Sequence, residues 1–362
     1  MKTKVGILTF HDAVNYGAIL QTVALYKKLV ELGADAEIVD YSYRSKNIMD
    51  LNFIGTLKKR GFKKAIEYLF IHKNRKIRKE KLQAFLKKNA KVSKKAYTVD
   101  NIKEADQKYD KFVAGSDQIF DMDKTAHDEN FLLNFVSKQG KKYSYAASSG
   151  RLDEENIDEI SKFLSTFNSI SVREKLLQEK LEKKLEKEVY RHLDPTFFYG
   201  KDFWSKYAVK PKEENYILVY TLAKSKDLLN AATVYAKQTK KKIIIISGRA
   251  EIFIGMKKVT RASIEEFLGY FLYADYIFTN SFHGTAFSII MKKNFSVGLH
   301  KDKKMGNDRM QTLLTVLGLD KCYVEYKNNT IIENKINYKE VDNSIKMEIT
   351  QSTQYLKNIV DN

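Results

Sequence analysis

Four short segments carry residue types that can do chemistry, and each follows an apolar run. The first, TFHDAVNYGAILQ (residues 9–21), offers His11, Asp12, Asn15, Tyr16 and Gly17 ahead of a helically spaced stretch. Gly17 would let a ligand approach the helix N-terminus, where free N–H groups and the helix dipole favour anions. The alternative is a loop capped by Asp12 or Asn15. The second, FVAGSDQIF (112–120), runs from a buried strand into Gly115, Ser116, Asp117 and Gln118. Small polar residues there cap a helix or bind a hydroxylated ligand. The third, SISVREK (169–175), sets Arg173 and Glu174 directly after a strand. Such an arginine forks onto a carboxylate or phosphate, or pairs with a nearby acid.

The fourth segment, YIFTNSFHGTAFSII (276–290), reads as a strand Tyr276–Thr279, a tight polar loop Asn280–Gly284 and an apolar helix Thr285–Ile290. It puts His283, flanked by Ser281 and Gly284, where a substrate would lie. Histidine titrates near neutrality and can act as general acid or base. A lone histidine is more often structural, and its place at a strand's carboxyl end favours function. Lys292 and Lys293 after that helix, Arg309 opening another in NDRMQTLL, and His300, Lys301, Lys303 and Lys304 in a loop could each contact an anion.

The elements that hold these segments follow one rhythm. Val5–Phe10 is a short apolar run, Gly17–Leu32 has helical spacing, and Gly33 stops that helix. Ala36–Tyr41, Lys111–Ala114, Tyr143–Ala147, Ser169–Val172 and Val189–Leu193 read as further strands. Beyond Pro195 and the charged stretch at Pro211, a second set starts at Tyr216–Thr221. It continues at Ile243–Ser247, Tyr276–Thr279 and Phe295–Gly298. Ser263 and Glu266 have the spacing of a capping box opening a helix through Tyr273. Alternating strands and helices give an α/β fold with parallel sheets covered on both faces, whose ligands bind beyond the carboxyl ends of strands. The expected division is 1–200, 212–335 and a helical tail, 336–362, packing on the first domain.

Composition fits this. At 362 residues the chain suits two domains, and 43% hydrophobic content supports a core. The single cysteine, Cys322, excludes an internal disulfide framework and multi-cysteine metal sites. His72, His127 and His192 lack partners at metal-ligand spacing, so no metal site is expected. The absence of GxGxxG, GxxxxGK[ST] and GxSxG argues against a nicotinamide enzyme, a P-loop NTPase and an α/β-hydrolase. The start, MKTKVGILTF, is too short an apolar run for a signal peptide, and no stretch approaches 18 apolar residues. A soluble, cytoplasmic protein is the expectation. The formal charge of +19 is concentrated between Ile54 and Lys95, where sixteen Lys or Arg face two acids. That window reads as two or three helices with Phe62, Ile66, Leu69, Phe70, Leu82, Phe85 and Leu86 as apolar faces.

Taken in order, these blocks resemble the polysaccharide pyruvyltransferase family. The matching pieces are GILTFHDAVNYGAILQTVAL (6–25), VAGSDQIF (113–120), YSYAASSG (143–150), SVREK (171–175), LDPT (193–196), NSFHGTAFSIIMKKNFSVG (280–298) and NDRMQTLL (307–314). The resemblance implies two Rossmann-like domains with parallel sheets facing a cleft, a GT-B-like fold. It implies transfer of pyruvate from phosphoenolpyruvate onto two hydroxyls of a sugar, forming a ketal and releasing phosphate, with no cofactor. The sugar would belong to a capsule, exopolysaccharide or cell-wall polymer. The family's loop histidine falls on His283 and its anion-binding arginine on Arg173. Some members carry arginine where this chain has Ser281, and many have tryptophan where it has Phe120.

On that basis, His283 is assigned to proton transfer. Arg173, Ser281, Gly284, Thr285, Lys292, Lys293 and Arg309 are assigned to the donor. His11, Asp12, Asn15, Tyr16, Gly17, Ser116, Asp117 and Gln118 are assigned to the acceptor, a sugar or lipid-linked oligosaccharide. Residues 54–95 could touch anionic lipid at the inner face of the membrane through clustered Lys and Arg. A nucleotide-sugar glycosyltransferase of the same shape is the nearest rival. A nucleic-acid-binding protein is disfavoured because the basic window has few aromatics for stacking.

Overall fold

The computed structural model describes residues 1–42, 62–222, 225–248, 253–299, 307–324, 326–327 and 330–361; the side chains of 62–70, 326–327 and 330 are not described. The start of the basic window, 54–61, its apolar positions Phe62, Ile66, Leu69 and Phe70, and the loop of His300, Lys301, Lys303 and Lys304 fall outside these limits.

The first sheet uses β1 (Lys4–Leu8), β2 (Asp35–Ser42), β3 (Val92–Thr98), β4 (Lys111–Ala114) and β5 (Lys142–Ser144). Every pair is parallel and the order is β3-β2-β1-β4-β5, with Ile7 opposite Ile38 on one side and Val113 on the other. A small parallel pair, β6 (Ile170–Val172) and β7 (Val189–Arg191), continues from β5 through single bridges such as Tyr143–Ser169. The second sheet uses β8 (Tyr216–Tyr220), β9 (Lys242–Ile246), β10 (Lys257–Val259), β11 (Tyr276–Thr279) and β12 (Phe295–Val297). It is also all parallel, in the order β10-β9-β8-β11-β12. Both sheets thus have the same Rossmann-type order. Strands buried on both faces need continuous apolar runs, and all of β8 and all but the first residue of β9 are buried.

In such a sheet the crevice opens where the strand order reverses, here beyond β1 and β4 and beyond β8 and β11. Helices begin at those points. Helix α1 (Tyr16–Glu31) follows β1 and is capped by Asn15, whose Oδ1 accepts from the amides of Gly17 and Ala18. Gly33, at φ +98°, ends the turn after it. In the second half, α8 (Ile264–Tyr273) opens on the capping box Ser263–Glu266. Helix α9 (Phe282–Ile290) follows β11, with Ser281 as N-cap. The loop between strand and helix is therefore Asn280–Ser281 alone, and His283 stands in the first helical turn rather than in a loop.

One core joins the halves. The Tyr16 ring stacks on Phe267 at 4.5 Å and its hydroxyl donates to Ala262 O at 3.0 Å. Ile19, Leu20 and Val23 of α1 share an apolar cluster with Phe267 and Phe287. The last helix, α11 (Tyr338–Asp361), is continuous and returns to the first sheet. There Leu356 and Ile359 pack with Val5, Ile7 and Leu25, and Tyr355 Oη donates to Ser144 O at 2.9 Å.

The basic window differs from its helical reading. Helix α2 (Phe62–Asn89) is followed by strand β3 at the sheet edge. In β3 only Ser93 and Tyr97 are buried, and Lys94, Lys95 and Ala96 face water. Lysine on an edge strand blunts unwanted pairing and also hides the period-2 signal. Several lysines of the window are spent on internal pairs, with Lys79 on Asp12, Lys81 on Glu266 and Lys91 on Asp35. Among the described residues no helix is long and apolar enough to cross a membrane.

Candidate active site

Asp194 is the point where the separate segments meet. It follows β7, with Pro195 opening a short 3-10 turn behind it. Its Oδ1 accepts from the amide and hydroxyl of Thr196 at 3.0 and 2.8 Å. Its Oδ2 accepts from Ser116 Oγ at 3.0 Å and from Arg173 Nη1 at 2.7 Å, and lies 3.4 Å from His283 Nε2. The carboxylate is fully buried. Burial alone would raise its pKa, but His283 and Arg173 together hold it well below the usual carboxylate range.

Arg173 leaves β6 and lies with Cζ 4.2 Å from the centre of the Phe282 ring. Its side chain is 2% exposed, yet Nε and Nη2 have no hydrogen-bond partner. Arg309 stands in the first turn of α10 (Asp308–Val316), which packs on α5 (Lys175–Leu185), where Thr312 Oγ1 accepts from the Lys175 amide at 3.3 Å. Its Nε is also buried without a partner. Burial pushes the Arg309 pKa down, Arg173 adds to this by like-charge repulsion, and Glu174 and Asp117 oppose it. Two guanidinium groups with spare donors therefore share one enclosed region.

Glu174 is the acid between them. It is fully buried, hydrogen-bonded through Oε1 to Ser148 Oγ, with Oε2 unpartnered. Burial pushes it up to about 7, partly offset by Arg173 and the Ser148 bond. A carboxyl with that pKa can give or take a proton at neutral pH. A raised folded-state pKa means that the stability due to this group is full below its unfolded value of 4.5 and is lost as pH rises through about 7. Glu174→Gln is therefore expected to flatten the fall in urea-unfolding free energy between these pH values, by roughly 3 kcal/mol. A variant whose pH profile overlays that of the parent would contradict this account.

His283 reaches the cluster from the second half. A Cβ on Gly17 would stand 2.0 Å from His283 Cγ and 2.1 Å from Nδ1, so the ring lies directly against the start of α1. Only 6% of the side chain is exposed. Nε2 faces Asp194 but is not aligned for a good hydrogen bond.

Other residues singled out from the sequence fall into two groups. Gly17, Ser116, Arg173, His283 and Arg309 converge on the Asp194 region, and Asp117 is near enough to act on Arg309. Asp117 itself sits at φ +83° and caps the Gln118 amide. Ser281 caps α9, Thr285 Oγ1 donates back to Ser281 O, and Gly284 leaves room for Thr279 Oγ1, 2.1 Å from where its Cβ would be. These three shape the turn. Lys292 and Lys293 lie past the opposite end of α9, bound to Asp342 and to Leu272 O, and are not brought to His283. His11 is turned into the first sheet, between Asp40 Oδ1 and Thr9 O, and Asp12 is an exposed partner of Lys79. Gln118 packs by Gly150 and Asp121. Phe120 is buried core.

Two participants had no role in the sequence reading: Asp194 stood only inside the matching block LDPT, and Glu174 was noted beside Arg173 at a strand end without a signal of its burial. Among the described residues no cluster of three or more His, Cys, Asp or Glu could hold a metal ion.

Two Rossmann-type sheets, with polar residues from both crevices meeting at one carboxylate, define an enzyme-like site. The sequence profile of polysaccharide pyruvyl transferases matches residues 15–297, and the chain belongs to that family of transferases. No match was found among curated proteins. Among solved structures the chain is similar to UDP-GlcNAc 2-epimerase from Neisseria meningitidis bound to UDP-GlcNAc, at 8% identity and a TM-score of 0.49, over 100% of this chain and 94% of that one. It is similar also to HepE from Anabaena in complex with UDP and glucose, at 11% identity and a TM-score of 0.48, over 99% and 93%.

Proposed function

We infer that this chain moves the pyruvyl group of phosphoenolpyruvate onto two hydroxyls of a sugar in a surface polysaccharide or its precursor, forming a ketal and releasing phosphate. The observation that carries this reading is the pair of buried guanidinium groups, Arg173 and Arg309, with three nitrogens lacking partners. Around the pair stand Asp194, held ionised, Glu174, titrating at about 7, and Asp117 and Asp121, which act on Arg309, yet none of these acids reaches the three spare nitrogens. Phosphoenolpyruvate supplies a phosphate and a carboxylate, the groups that such forks bind best.

Each step then has a residue. The methylene carbon gains a proton, and Glu174 is the acid poised near neutrality to give it. One hydroxyl attacks C2 and loses its proton, which His283 Nε2 accepts with Asp194 steadying the charge. Phosphate leaves with the electron pair of its C–O bond, and the second hydroxyl closes the ketal as its proton passes to the departing phosphate. Asn15, Tyr16 and Asp117 border the side from which the sugar comes. His283→Ala is expected to bind phosphoenolpyruvate within a few-fold of the parent but to release phosphate about 10²–10⁴-fold more slowly in the presence of acceptor. Equal rates in parent and variant would remove His283 from the reaction.

A further inference from the structure

Helix α2 carries Arg78 across to the second half, where the donor chemistry above does not use it. A Cβ on Gly248 would meet its Nη1 at 2.6 Å and Nη2 at 2.7 Å, so glycine there is what admits the guanidinium. Arg78 Cζ lies 6.0 Å from the centre of the Tyr16 ring. The group borders a pocket of about 190 Å³ between the two halves, beyond the carboxyl ends of β8 and β9, with Asn15, Tyr16, Tyr220 and Ser247 in its wall. Two buried donors of this wall, Arg78 Nε and Tyr220 Oη, have no hydrogen-bond partner of good geometry. Among the described residues no carboxylate pairs with Arg78. Glu266, which acts on the neighbouring Tyr16, is already held by Lys81 and the Ser263 amide.

We propose that this pocket binds a diphosphate, the link through which the acceptor sugar is attached to its carrier. The proposal rests on the reading of the chain as a pyruvyl transferase acting on such a sugar. A guanidinium that no carboxylate pairs with among the described residues and a phenol O–H together suit an anion rich in acceptor oxygens. The volume is below the roughly 300–1,000 Å³ of sites that enclose a whole drug-sized ligand, so the pocket takes a group and not an entire sugar nucleotide. Its position fits the reaction. A Gly284 Cβ would lie 2.8 Å from Tyr220 Cδ1, so the pocket wall touches the residue next to His283. Asn15, on the other wall, caps the helix whose Gly17 supports the His283 ring. A sugar anchored by its diphosphate in the pocket extends its hydroxyls towards that ring.

A nucleoside and a polyprenyl lipid present the same diphosphate, and the experiment separates them. The full chain is titrated calorimetrically with inorganic pyrophosphate and, separately, with phosphoenolpyruvate. Arg78→Ala is expected to weaken pyrophosphate binding by about tenfold or more and Tyr220→Phe by several-fold, the cost of losing donors to a charged group. Phosphoenolpyruvate affinity should stay within about twofold in both, since its donors are elsewhere. UDP and geranyl diphosphate are then compared, and the tighter of the two names the carrier class. The proposal is overturned if both variants bind pyrophosphate as the parent does, if phosphoenolpyruvate competes with pyrophosphate, or if neither organic diphosphate binds. If phosphoenolpyruvate does not bind the parent while pyrophosphate still depends on Arg78, the transfer reaction is wrong and the diphosphate site stands.

Discussion

Asp194→Ala is expected to cost about 3–5 kcal/mol of stability and to abolish transfer. The size follows from the contacts. One buried carboxylate receives Ser116, Arg173 and Thr196, and faces His283. Removing it leaves the Arg173 guanidinium buried without a counter-charge, which is worse than never having had the pair. Asp194→Asn separates charge from shape. It keeps an acceptor for Thr196, but it neutralises the group that faces Arg173 and His283. The sign with pH is fixed by the depressed folded-state pKa. The stability from this carboxylate is fully present above its ordinary value of 3.8 and is lost only as pH falls below that towards the folded value. Urea unfolding of Asp194→Asn should therefore show a deficit at neutral pH that shrinks as the solution is acidified below about pH 4. A deficit of constant size down to pH 2, or an Asp194→Ala variant as stable as the parent, would mean that the carboxylate does not organise the site.

The buried strands of both sheets could be read from the sequence because buried parallel strands allow little else, whereas the edge strand β10, with no buried residue, was not expected. Runs such as Ile243–Ile246 and Tyr276–Thr279 are apolar without a gap, and each is a strand at or within a residue of its expected place. The capping box at Ser263 was legible for a similar reason, since both of its halves lie within four residues. Strand β3 was not, because its outer face is Lys94 and Lys95 and only two of its seven residues are buried. The site divides the same way. Arg173 and His283 announced themselves by following strands, and Arg309 by opening a helix. Asp194 and Arg78 depend on contacts with elements far away in the chain, as the Arg78–Gly248 contact shows. Ser281 caps its helix, and Arg309 brings a guanidinium to the cluster from α10.

Gly17 tests whether the two halves must meet as described. In a helix interior, glycine to alanine ordinarily stabilises by about 1 kcal/mol, because alanine loses less backbone entropy on folding. Position 17 lies in the first turn of α1, and its N–H is bonded to the Asn15 cap, so propensity alone predicts a gain. Packing predicts the reverse, because a new Cβ would stand 2.0 Å from His283 Cγ and 2.6 Å from His283 Cβ. The ring is nearly buried, and its Nε2 stands 3.4 Å from Asp194 Oδ2. Overpacking of this kind typically costs about 1–3 kcal/mol, which exceeds the propensity gain, so Gly17→Ala should lower the melting temperature. Phosphate release should fall by about 10²-fold, since a displacement of an ångström is enough to misplace a catalytic group. The decisive measurement is a double-mutant cycle with His283→Gly, which removes both the ring and the clashing Cβ. Against that background the same substitution at 17 should turn from destabilising to neutral or stabilising, while transfer stays lost. If Gly17→Ala alone raises the melting temperature and leaves the rate intact, then α1 and α9 do not close on each other in solution, and the site cannot be built from both halves.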